Sequence, residues 1–175
     1  MNKYQKAFSQ HAQKRDALFN ALDKIAVERI TTRPPSGAWS SQEVLHHLFL
    51  SESGTLHVLK KQLAKDTGTF KHISLVYWVR SWILNFSLIS NGKYKAPAVV
   101  SNLENLKSYD ELKAEWRTFK NGMENLLANL PRDIDKKLIF KHPFAGWLTL
   151  NGTLQFLRFH QLHHVRQIVE RAGVL

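Results

Sequence analysis

The sequence predicts an all-α bundle. Three observations predict it: long segments with apolar residues at helical spacing, helix-start signals ahead of several of them, and strand signals that are thin throughout. The 175 residues suffice for a single domain, 1–175, with a sizeable core. An apolar fraction of 43%, with 5 Trp, 4 Tyr and 10 Phe, fits a folded chain rather than a disordered one.

The elements follow in order. Residues 3–30 read as a first long helix, with Phe8, Ala12, Leu18, Leu22, Ile25 and Ala26 as a rough helical stripe. The run "TTRPPSGAWS" stops it, because two prolines and a glycine cannot continue a helix. A second helix is expected from Ser40 to about Lys65. Ser40 and Glu43 have capping-box spacing, and Trp39 and Val44 sit where a hydrophobic staple would be. A third, aromatic-rich helix is expected over 73–90, followed by a loop with an extended piece, "NGKYKAPAVVSN". Ser108 and Glu111 repeat the capping-box spacing ahead of a fourth helix, which Pro131 closes after Leu130. The connector "KKLIFKHPFAGWLTL" is expected to be partly extended. Thr149 then caps a fifth helix that Gly173 ends as the residue after the C-cap.

Composition excludes several functions. The chain has no cysteine, which rules out disulfides, a thiol nucleophile and cysteine-based zinc or iron–sulfur sites. The lack of cysteine and a polar N-terminus without an apolar core segment fit a cytoplasmic chain with no signal peptide. Ile73 to Ile89 is nearly long enough to span a membrane, but Arg80 sits at its centre, so a buried or interface helix is expected instead. The net charge of +11 raises the question of a nucleic-acid or membrane partner. Acids accompany the basic residues in most segments, and only 67–103 lacks them while carrying Lys71, Arg80, Lys93 and Lys95. With no basic helix or aromatic–basic module, no specific nucleic-acid partner and no membrane are expected.

The last helix carries the candidate chemistry. Its apolar stripe runs through Leu150, Leu154, Leu157, Ile168 and Ala172, and His160 and His164 interrupt it. Residues at i and i+4 lie one turn apart on one face, so two imidazoles can converge on one ion. The same spacing also suits two core histidines bonded to backbone or water. A third ligand must come from elsewhere, and "VLHHLFLSES" offers His46 and His47. His47 shares a face with Val44, Ser51, Gly54 and Val58, where small side chains leave room for an ion. His46 shares one with Gln42, Phe49, Leu50, Ser53 and His57. Periodicity does not choose between them.

Two stretches carry a family resemblance. "SGAWSSQEVLHHLFLSE" resembles the helix-two signature of the DinB/YfiT-like family, in which Trp-Ser, a Glu and then His-Leu recur. "HPFAGWLTLNGTLQFLRFHQLHHVRQI" is similar to its C-terminal signature of His-Pro, Gly, Leu-Thr-Leu, HxxxH and Gln-Ile. Residues 67–107 have no close counterpart. The resemblance implies a DinB-like four-helix bundle with an additional connecting segment. It also implies one divalent metal ion, nickel, zinc or similar, held by His47, His160 and His164. His46 and His163 then become supporting or surface residues.

Three neutral imidazoles leave a coordination position open, the mark of a catalytic site. Such a site can activate water, for hydrolysis, or a thiolate, for thiol transfer. The family resemblance implies a metal-dependent hydrolase acting on a small molecule, or a thiol-dependent transferase using a low-molecular-weight thiol. A non-enzymatic ligand- or anion-binding protein is the competing class. Glu52 is the candidate general base or partner to a ligand imidazole, and Gln167 is expected to orient or pack. His142 is a candidate for the pocket mouth. Trp39 and Trp147 read as core. Tyr77, Trp78, Trp82 and Phe86 would line either the core or a homodimer face.

Overall fold

The structure, a computed structural model, describes residues 1–65, 70–72 and 103–174. The expected third helix, the loop after it, most of the acid-free basic stretch and the candidate homodimer face lie outside the described residues. Five helices are described: α1 (Lys3–Leu22), α2 (Val27–Thr31), α3 (Ser41–Leu63), α4 (Tyr109–Ala128) and α5 (Leu150–Ala172). Among the described residues, no helix is long and apolar enough to cross a membrane.

The helix-start signals work as the sequence predicts. Ser40 Oγ accepts from the Glu43 amide at 3.2 Å, and the Ser40 amide donates to the Glu43 carboxylate at 2.7 Å. Arg33, from the proline-rich turn, adds two bonds from Nε to the same carboxylate at 2.9 Å. Ser108 and Glu111 form the equivalent box on α4. Thr149 Oγ1 accepts from the Gly152 amide at 3.1 Å, and Gly173 ends α5 with a left-handed φ of 67°. Asn2 and Gln5 form a third capping box, at the start of α1.

One boundary differs. A helix through Ile30 is expected, but α1 ends at Leu22. The chain tightens there into i→i+3 bonds, Lys24 to the Ala21 carbonyl and Ile25 to the Leu22 carbonyl. Asp23 is drawn to α4, accepting from Tyr109 Oη at 2.9 Å and Lys113 Nζ at 2.7 Å. The turn lets α2 set off separately and bury Ile30.

The connector before α5 is more regular than thin strand signals suggest. β2 (Lys137–His142) and β3 (Gly146–Thr149) form an antiparallel hairpin, and the short β1 (Lys71–His72) adds to the other edge of β2. β2 buries Lys137, Leu138, Ile139 and Phe140 in succession and has a register shift between Leu138 and Phe140. It therefore never shows the period-2 alternation by which a strand is read from sequence.

Among the described residues, four long helices pack as a ring: α1 on α5, α5 on α3, α3 on α4, and α4 back on α1. That leaves α1 and α3 on one diagonal. The hairpin lies against α3 and α5. Core side chains come from every long helix, including Phe8 and Leu22 of α1, Leu45 and Leu59 of α3, Leu112 and Met123 of α4, and Leu150, Leu157 and Ile168 of α5. Fully burying each such side chain stabilises the fold by roughly 1.5–3 kcal/mol.

Candidate metal centre

α3 and α5 run antiparallel. Ser41 Oγ, at the start of α3, donates to the Ile168 carbonyl near the end of α5 at 2.8 Å. Two turns further along α3, His47 meets His160 and His164. One ring nitrogen from each of the three lies within 4.8 Å of the others. The ring centroids form a near-equilateral triangle with sides of 5.2, 5.0 and 4.8 Å. His47 Nε2 and His160 Nε2 are 3.3 Å apart. Two nitrogens bound to one tetrahedral ion at 2.0–2.1 Å stand about 3.4 Å apart, so this edge already has the span a divalent ion requires. The donor set is all imidazole, which suits zinc, nickel, copper or iron.

Electrostatics favours the neutral, ligating form. His160 is held well below the ordinary imidazole range, by burial first and then by the neighbouring imidazoles. His164 is pushed down to about 3, chiefly by burial and next by His47, with a bond to Gln167 opposing the shift. His164 Nδ1 lies 3.0 Å from Gln167 Oε1. A carbonyl oxygen can only accept, so Nδ1 carries the proton and Nε2 presents its lone pair. His160 Nδ1 is sealed from solvent and has no hydrogen-bond partner.

Aromatic rings wall the triangle. Phe156 stacks on His160 at 5.3 Å and an interplanar angle of 18°, and Trp39 lies 5.6 Å from His47. His163 stands edge-on to His164 at 4.9 Å. His46 points elsewhere: it is buried, and its Nδ1 accepts from the Lys107 amide at 3.5 Å while Gln42 Nε2 donates to the Lys107 carbonyl at 2.7 Å. Together His46 and Gln42 pin the chain as it enters α4. His142 is buried in the hairpin. Its Nδ1 accepts from the Phe144 and Ala145 amides at 3.2 and 3.1 Å, and its ring lies edge-on to Phe156 at 4.5 Å.

Glu52 has other partners. It is fully buried, and its Oε2 accepts from Arg15 Nη2 and lies 3.3 Å from His11 Nε2. Arg15 also reaches His11 Nε2 at 2.6 Å, and its guanidinium lies 3.8 Å from the Trp116 ring centre. This second polar cluster spans the α1–α3 diagonal. The sequence held a signal for it, since His11 and Arg15 interrupt the stripe of Tyr4, Phe8, Ala12, Leu18 and Leu22 just as His160 and His164 interrupt theirs. Gln161 is a further unexpected residue. It occupies the centre of the α5 stripe, buried, with neither amide atom partnered.

Comparisons with known proteins cover most of the chain. Residues 10–168 match the family described as the DinB superfamily. The uncharacterized protein YuaE of Bacillus subtilis is 24% identical over 152 residues, covering 87% of this chain and 88% of its own. A protein of Oceanobacillus iheyensis named "Putative metal-dependent hydrolase" is 22% identical over 151 residues, covering 86% and 75%. No solved structure matches the chain. With the family match running from α1 to the histidine helix, the chain belongs to the DinB superfamily.

Proposed function

We propose that this protein is a metal-dependent hydrolase of a small molecule, with one divalent ion held by His47, His160 and His164. The single observation behind the proposal is the convergence of three buried or half-buried imidazoles with no carboxylate among them. A divalent ion bound there supplies Lewis acidity and an open coordination position, the chemistry that polarises an acyl group and activates water. Gln167 holds His164 in the ligating tautomer. Phe156 fixes the plane of His160, and Trp39 shields His47 from bulk water. Three neutral ligands leave the ion's charge uncompensated, which favours an electron-rich substrate group. Glu52 is the general base of this proposal through its unpartnered Oε1, since Oε2 is committed to Arg15 and His11.

The chain has no cysteine, so thiol transfer at the same site requires an external low-molecular-weight thiol. Metal analysis of untagged protein is the first test, with about one zinc, nickel or similar ion per chain expected. His47→Ala and His160→Ala should lose that ion while remaining folded. If either variant retains metal as the parent does, the site assignment fails. A panel of activated esters and amides, assayed with and without a chelator, tests hydrolysis. Turnover that appears only with added thiol supports the transferase instead, and metal retention without any turnover supports a binding protein. Glu52→Gln should abolish turnover with metal content unchanged, and retained turnover removes Glu52 as the base.

A further inference from the structure

A second feature of the bundle supplies no ligand to the metal centre. Between α1 and α5 lies an open cleft of about 330 Å³, lined by Gln10, His11, Gln13, Lys14 and Ala17 of α1 and by Arg158 of α5. Gln10, Gln13, Lys14 and Ala17 recur at i, i+3, i+4 and i+7, so one face of α1 forms the wall. Arg158 lies 200° around the α5 axis from His160 at about 100° per residue, so the cleft opens away from the three histidines. Its volume is at the lower end of small-molecule sites.

The lining has one sign of charge. It holds two cations, two carboxamides and an imidazole, and no carboxylate. Among the described residues, neither Lys14 nor Arg158 takes part in an ion pair. Acids of the adjoining helix turns are already engaged: Asp16 with Lys120 at 3.0 Å, and Glu52, which faces His11, with Arg15. Among the described residues, the Arg158 guanidinium stands over the ring of Phe159, at 5.6 Å. Two cations sharing a cleft repel, and an anion between them converts that repulsion into two attractions.

The floor is built rather than incidental. His11 is 4% exposed, and its Nε2 faces Arg15 and Glu52. That buried pair fixes the imidazole, and Glu52 offsets the charge of Arg15 behind it. Nδ1 is left as the uncommitted ring nitrogen. Ala17 and the aliphatic stems of Lys14 and Arg158 supply apolar surface beside the charges.

We propose that this cleft is a binding site for a small organic anion, a carboxylate or a phosphate monoester. The anionic group lies between Lys14 and Arg158, with Gln10, Gln13 and His11 offering hydrogen bonds and the apolar body resting on Ala17. The site shares no ligand with the metal centre and is tested on metal-free and metal-loaded protein alike.

The test is titration with benzoate, phenyl phosphate and neutral benzamide at fixed ionic strength, followed by calorimetry and the imidazole resonances of His11. At least one anion should saturate and shift His11, while benzamide does not. The tighter of the two anions identifies the arm, carboxylate or phosphate. Lys14→Gln with Arg158→Gln should weaken binding by about tenfold or more, with metal content and thermal midpoint unchanged. The inference is overturned if neither anion saturates below about 10 mM, if benzamide binds equally, or if the double variant binds as the parent does. Because metal content is read separately, loss of the metal-centre reading would leave this outcome untouched.

Discussion

Among the described residues, two buried polar clusters of the bundle are built on opposite principles. Arg15, Glu52 and His11 join the α1–α3 diagonal, and their charges cancel within the cluster. His47, His160 and His164 join α3 to α5, and their group of converging ring nitrogens includes no carboxylate. In the first, burial lowers the pKa of Arg15, and Glu52 pulls it back. The second gathers three imidazoles, a donor set that suits a divalent ion. His160 Nδ1, buried and without a hydrogen-bond partner, costs the fold about 1–3 kcal/mol, so this imidazole is retained for something other than stability. Charge balance, more than burial or residue type, separates the cluster that holds the bundle together from the one that can bind an ion.

Acid should divide the two clusters most sharply. Below the ordinary imidazole value of 6.5, an unfolded chain takes up protons that folded His142, at about 4, and His164, at about 3, refuse. Their folded values lie below the unfolded one, so protons favour unfolding, and the metal-free protein should lose on the order of several kcal/mol between pH 6.5 and 4. His142 adds a local reason, because its protonated Nδ1 can no longer accept the two turn amides. Urea midpoints that stay flat over this range would break the comparison. Next in size, Arg15→Ala strands the Glu52 carboxylate in the core and should cost about 3–5 kcal/mol by urea denaturation, leaving metal affinity per folded molecule intact. Gln167→Leu should do the converse, lowering metal affinity by about 10–100-fold in a competition titration while shifting the metal-free midpoint little. The smallest expected effect is that of Ser40→Ala, about 1 kcal/mol from the lost cap of α3, which calibrates a change that touches neither cluster.

Much of this was legible from local chemistry. The boxes at Ser40 and Ser108, the cap at Thr149 and the end at Gly173 each depend on residues within a few positions of one another. His160 and His164 announce themselves because two imidazoles interrupt a stripe of leucines. His11 and Arg15 send the same signal on α1, yet Arg15 reads as a surface residue until Glu52, 37 positions away, is seen against it. The early end of α1 was hidden for the same reason, since Tyr109 and Lys113, which hold Asp23, lie far along the chain. β2 escaped because it is buried on both faces and carries a register shift. Partners distant in sequence decided whether a polar residue pointed in or out, and no window of ten residues contains them.

The junction at Thr149 constrains how this chain can vary in length. Thr149 is both the last residue of β3 and the cap of α5, with no linker between strand and helix. The hairpin and the histidine helix are therefore in fixed phase. One residue inserted at the junction would rotate α5 by about 100° or slide it by about 1.5 Å, and either shift carries His160 and His164 out of register with His47. The turn at Pro143–Ala145 sits at the far end of the hairpin, where added residues leave that phase untouched. Viable insertions and deletions should therefore collect at the hairpin tip and be absent from its base.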